Sequence, residues 1–185
     1  HMRRLRASAE RISLDVPVDD SEMARRIDDT IAAAALPGEA YIRILVTRGA
    51  GEIVYDPAAC PSPTLVIIVK PHTELAPEMY DTGVTLALVP VIRNHPGSVS
   101  PRIKSNNLLN NALAMQQAYK RQAFEALMRN HRGEICECAQ SNFFVVTNGV
   151  VRTPPLDAGL LGRAARCGSG RVAVQGPAAS VRSST

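Results

Sequence analysis

The chain has no tryptophan, and aromatic residues fill only 4% of its 185 positions. Its core must therefore be aliphatic, drawn from a hydrophobic content of 45% that is ordinary for a globular protein. No apolar run approaches the ~20 residues that a membrane span needs. The arginines near the N-terminus are followed by no apolar signal core. A cytoplasmic protein without a membrane partner is the expectation. The four cysteines (Cys60, Cys136, Cys138, Cys167) form no C-x-x-C pair. Cys136 and Cys138 would share one face of a strand, a poor disulfide and half a zinc site at best. They read as buried, reduced thiols. The four histidines (His1, His72, His95, His131) are scattered, so no metal is expected, and no glycine-rich phosphate loop is present.

The net charge of +4 could suggest nucleic-acid binding until it is located. Arg163, Arg166, Arg171 and Arg182 lie in residues 162–185, which hold no acidic residue, and they account for the whole excess. The charge is a property of the tail, and no nucleic-acid partner is expected.

Along the chain, Leu5, Ala9 and Ile12 recur at helical spacing within residues 2–12. A second helix, capped by Asp20 or Ser21, runs to about Ala35 with Met23, Ile27 and Ile31 on its buried stripe. Leu36-Pro37-Gly38 ends it. Strands are expected over Ala40–Thr47, over Leu65–Val69 as a continuous and so fully buried run, and over Val84–Val91. Residues 93–101, R-N-H-P-G-S-V-S-P, form a turn-rich segment and the expected domain boundary. From Ser105 a helix carries Leu109, Ala112, Leu113 and Gln116 near one face. Short strands follow over Ala123–Met128, Glu134–Cys138, Phe143–Thr147 and Val150–Arg152, joined in a meander. His131-Arg132-Gly133 and Asn148-Gly149 make its hairpin turns. This mixture implies the α+β class.

Two residues stand out chemically. Lys104 precedes a run of apolar and amide residues, where an amine can attack an aldehyde at neutral pH; the plain alternative is a surface lysine before a helix. Glu137 lies mid-strand between two cysteines, where a carboxylate needs a cationic partner if it is buried. A pyridinium nitrogen is one candidate and an arginine the other. A lysine and a carboxylate on neighbouring elements can serve a carbonyl cofactor, one bonding the aldehyde and the other holding a ring nitrogen protonated.

The segments I-K-S-N-N-L-L-N-N-A-L-A, E-C-A-Q-S-N-F-F-V-V and G-V-V-R-T-P-P-L-D-A-G-L-L resemble the class IV aminotransferases, the fold-type IV pyridoxal-phosphate enzymes. The opening H-M-R-R-L-R-A-S-A is similar to that family's H-x-x-R-L-x-x-S-A helix, and the resemblance extends to about residue 161. It implies that Lys104 is the Schiff-base lysine and the proton carrier, and that Glu137 partners the pyridine nitrogen. Ser141 and Asn142 would shape the pocket for pyridoxal 5'-phosphate. The implied activity is amino transfer from a branched-chain or related amino acid to 2-oxoglutarate, by a homodimer. Alternatives are a D-amino-acid aminotransferase or aminodeoxychorismate lyase, slightly favoured by Asn107 three residues after the lysine, and an inactive fragment serving as an oligomerisation module.

The chain departs from that family at both ends. It begins at the H-x-x-R-L helix, without upstream strands that supply an arginine to the cofactor phosphate. After T-P-P-L the family's L-x-G-I-T-R phosphate loop is replaced by L-L-G-R-A-A-R. The expected architecture is thus a fold-type IV protein truncated at both ends. Residues 1–95 are the remnant of the smaller domain, 96–161 the start of the larger one, and 162–185 a basic tail, read as the product of a frame change or truncation near Leu161. Weak cofactor binding and a tendency to aggregate or to need a partner are the expected consequences.

Overall fold

The computed structural model describes residues 1–158. The tail expected at 162–185, Cys167 and the segment replacing the phosphate loop lie outside the described residues. The chain divides into two compact units, His1–Leu75 and the residues from Ala76 onward.

In the first unit, helix α1 (Met2–Glu10) buries Ser8 and Ala9, and helix α2 (Asp20–Ala34) buries Met23 completely. The cap of α2 is Asp19, one residue before the expected position. Its carboxylate accepts the Glu22 N–H at 2.8 Å and the Ser21 hydroxyl at 2.7 Å, and these bonds hold its pKa below the usual carboxylate value. Ala35 ends the helix in the left-handed region at φ 46°. Strand β1 (Ala40–Thr47) pairs antiparallel with β2 (Thr64–Pro71), with Ile44 opposite Ile67.

The fully buried strand expected at Leu65–Val69 is a half-covered one. Leu65, Ile67 and Val69 are half-buried, whereas Val66 and Ile68 are exposed. A two-stranded sheet with a helix on one side can shelter only alternate residues, because successive side chains point to opposite faces.

The second unit opens with the short helix α3 (Glu78–Thr82) and strand β3 (Leu86–Ile92). A long connection leads to helix α4 (Leu109–Lys120), and strand β4 (Glu125–Arg129) then lies parallel to β3. Strand β5 (Ile135–Cys138) returns antiparallel to β4. The turn between them has Gly133 at φ 81°, where a side chain would be strained. Strands β6 (Val145–Thr147) and β7 (Val150–Arg152) form a separate hairpin. Its Asn148-Gly149 turn takes positive φ at both residues, as a two-residue type I′ loop requires. The expected meander is thus two sheets rather than one.

Helix α4 differs most from its sequence pattern. It starts at Leu109 rather than Ser105, and it buries Ala114, Met115 and Ala118. The leucines expected on its apolar face, Leu109 and Leu113, are exposed. The reason lies in the sheet beneath, which presents Ala87, Val89, Ala126 and Met128 to the helix. Ala114 and Ala118 pack with Ala87 and Ala126, and Met115, Val89 and Met128 fill the space between them.

Candidate active site

Strand β5 carries Glu137 in its interior, flanked by Cys136 and Cys138. All three are buried. Burial pushes the Cys136 thiol up to about 11 and the Cys138 thiol up to about 12, so both stay protonated at neutral pH. Cys136 donates to the Ala158 carbonyl at 2.8 Å. A thiol reagent applied at pH 8 is expected to reach the half-buried Cys60 and to leave Cys136 and Cys138 untouched until denaturation. Peptide mapping reads the outcome, and native modification of Cys138 would mean that β5 opens.

The cationic partner that Glu137 required is Arg93. Its Nη2 lies 2.5 Å from Glu137 Oε1, and each side chain is only 7% exposed. Arg93 follows β3 directly, and its backbone N–H donates to the Arg129 carbonyl at 2.8 Å. Its Nη1 donates to Asn111 Oδ1 on α4 at 3.0 Å, and the Asn111 amide donates onward to the Ala139 carbonyl at 2.5 Å. Strand end, helix and strand are tied together around one carboxylate. The arginine alternative is therefore realised.

Lys104 lies on the connection between β3 and α4, the segment that Arg93 begins. It is exposed, in irregular backbone, rather than set against the start of a helix in apolar surroundings. The apolar neighbours that the sequence placed after it, Leu108 and Leu109, are themselves exposed. Ser141 and Asn142 follow β5 and are also exposed. The Ser141 hydroxyl donates to Glu125 Oε2 at 2.7 Å.

Three residues of this region, Arg93, Asn111 and Glu125, were not singled out from the sequence. Glu125 had the same signal as Glu137, an acidic residue inside an apolar strand. Arg93 had none, since it sits in a stretch that reads as a turn. Among the described residues no group of three or more His, Cys, Asp or Glu side chains could hold a metal ion, and no helix is long and apolar enough to cross a membrane.

Known proteins resemble this chain in sequence and in fold. The family model for amino-transferase class IV matches residues 1–164. A provisionally named branched-chain-amino-acid aminotransferase of Methanocaldococcus jannaschii is 35% identical over 156 residues, covering 84% of this chain and 53% of that protein. The D-alanine aminotransferase of Listeria monocytogenes is 29% identical over 175 residues, covering 85% and 53%. Among solved structures, the Escherichia coli branched-chain aminotransferase superposes with a TM-score of 0.83 at 28% identity, covering 90% of this chain and 55% of that one. The enzyme from Thermoproteus uzoniensis, solved with norvaline, gives 0.79 at 30%, covering 88% and 54%. The chain thus spans about half the length of the relatives it matches. Its α+β architecture is the fold of these enzymes, and the chain belongs to the class IV aminotransferase family.

Proposed function

We propose that this chain is, or is the portion of, a pyridoxal-phosphate-dependent aminotransferase that passes an amino group from a branched-chain or related amino acid to 2-oxoglutarate. The observation that carries the reading is the buried Glu137 carboxylate, held beside Arg93 in an interior where an isolated carboxylate would take up a proton. A carboxylate of this kind suits the ring nitrogen of the cofactor. Arg93 Nε and Asn110 Oδ1 are buried without a hydrogen-bond partner among the described residues, and a polar group bound nearby could satisfy them. On this reading Glu137, Arg93 and Asn110 are described residues whose chemistry suits the cofactor.

When bound, pyridoxal phosphate supplies the electron sink for a carbanion at the substrate α-carbon. Lys104 Nζ would hold the cofactor aldehyde at rest and carry the proton released from that α-carbon. Glu137 would keep the ring nitrogen protonated, Arg93 would keep Glu137 ionised, and Ser141 and Asn142 would border the ring. A homodimer belongs to the same reading. D-amino acids are the second substrate class, favoured by the likeness to the Listeria D-alanine aminotransferase and by Asn107.

Borohydride reduction after addition of pyridoxal phosphate, followed by peptide mass spectrometry, tests the proposal. One adduct, on Lys104, is expected. Labelling scattered over many lysines, or none, would overturn the reading and leave a non-catalytic module.

A further inference from the structure

Immediately after Glu137 the chain leaves β5 and turns. The Ala139 N–H donates to the Ala126 carbonyl at 2.9 Å and the Cys138 N–H to the Ser141 carbonyl at 3.1 Å. That turn directs the next two amides, of Gln140 and Ser141, toward the first residue of β4, Glu125. Glu125 is only 5% exposed. Its Oε1 accepts both amides, at 2.5 Å from Gln140 and 2.9 Å from Ser141. Its Oε2 accepts the Ser141 hydroxyl at 2.7 Å. Among the described residues Glu125 has no salt-bridge partner, so these three donors compensate its burial.

We infer that Glu125 is a positioning residue, a clasp that fixes the turn 139–142 and with it the side of the cofactor pocket bordered by Asn142. This inference rests on the aminotransferase reading above. A buried anion is an expensive way to close a turn, since a neutral Asn or Ser could accept the same amides at far lower desolvation cost. What the charge adds is stiffness. Hydrogen bonds to an ionised acceptor are about twice as strong as neutral ones, and three of them converge here from two successive residues. The Ser141 proton is committed to Glu125, so this hydroxyl can only accept from a bound ligand. Ser141 therefore acts chiefly by closing the clasp, and Asn142 is the residue of the turn left to meet the cofactor as a donor. Glu125 and Glu137 also divide their labour: one buried carboxylate is spent on backbone amides, the other on a guanidinium and, in the proposed enzyme, the ring.

Glu125→Gln is the direct test, because it keeps the shape and a carbonyl for the two amides but removes the charge and sets an NH2 donor against the Ser141 hydroxyl. Two quantities are read on the full chain. The first is amide hydrogen exchange at Gln140 and Ser141 without cofactor, and the second is pyridoxal phosphate affinity by absorbance titration. Exchange at those two amides is expected to quicken, and affinity to fall, each by about tenfold, while amides of α4 keep their protection. Ser141→Ala removes one of the three bonds without touching the buried charge and is expected to show a smaller loss of affinity, about threefold. It carries the test should Glu125→Gln fail to fold. Unchanged exchange, or faster exchange with unchanged affinity, overturns the clasp alone. A parent chain that takes up no pyridoxal phosphate overturns the aminotransferase reading as well, so the two failures are distinct.

Discussion

Arg93→Met is expected to lower the stability of the chain by about 3–5 kcal/mol, the range found when one partner of a buried ion pair is removed. Arg93 and Glu137 are equally buried and 2.5 Å apart. The substitution fills part of the arginine's volume but strips a buried carboxylate of its guanidinium. It also deprives Asn111 Oδ1 of the donor that links α4 to the end of β3. The double variant Arg93→Met, Glu137→Leu removes both charges and should recover most of the loss, since an apolar pair of similar volume replaces a buried ion pair at little or no cost. Urea denaturation of the parent, both single variants and the double variant gives the coupling directly. A single variant as stable as the parent would show that Arg93 does not hold Glu137 in solution.

Lys104→Ala should behave in the opposite way. Lys104 is exposed on an irregular connection, where substitutions change stability by about 0.5 kcal/mol or less. The melting transition should therefore stay where it is. On the proposed function, turnover of an amino acid with 2-oxoglutarate should fall by about 10²–10⁴, the usual contribution of a positioned acid–base group, and the borohydride adduct should vanish. A small primary amine added to the assay should restore part of the rate, because it can carry the proton that the proposed function assigns to Lys104. Undiminished turnover in the variant would remove Lys104 from the reaction. The contrast with Arg93 would separate the two roles proposed, one residue holding the site together and the other carrying its chemistry.

Much of the fold was readable because it rests on local rules. Strand β1 appears at the residues expected, and so does β7, because β-branched and aliphatic residues bounded by Gly, Pro or Asn-Gly leave little choice. The Asn148-Gly149 turn needed only its own two residues. Helix α2 needed a cap and a stripe, and missed by one residue because Asp19, Asp20 and Ser21 can all cap. The family, too, was legible in short ordered motifs around Lys104 and Glu137.

What failed in each case depended on a partner far away in sequence. Which face of α4 is buried was decided by the alanines of β3 and β4, and no pattern within the helix contains that information. Whether Leu65–Val69 is buried on one side or two depended on how many layers cover it. For the site, the sequence alone determined that Glu137 needs a cation if it is buried, and it offered Lys104 and Glu137 as the candidate pair. Only the tertiary structure decided that the cation is Arg93, and that Glu125 turns inward to hold the backbone after β5. Charge compensation in an interior is set by distance in space, whereas sequence spacing limits it only within a helix turn or a strand pair.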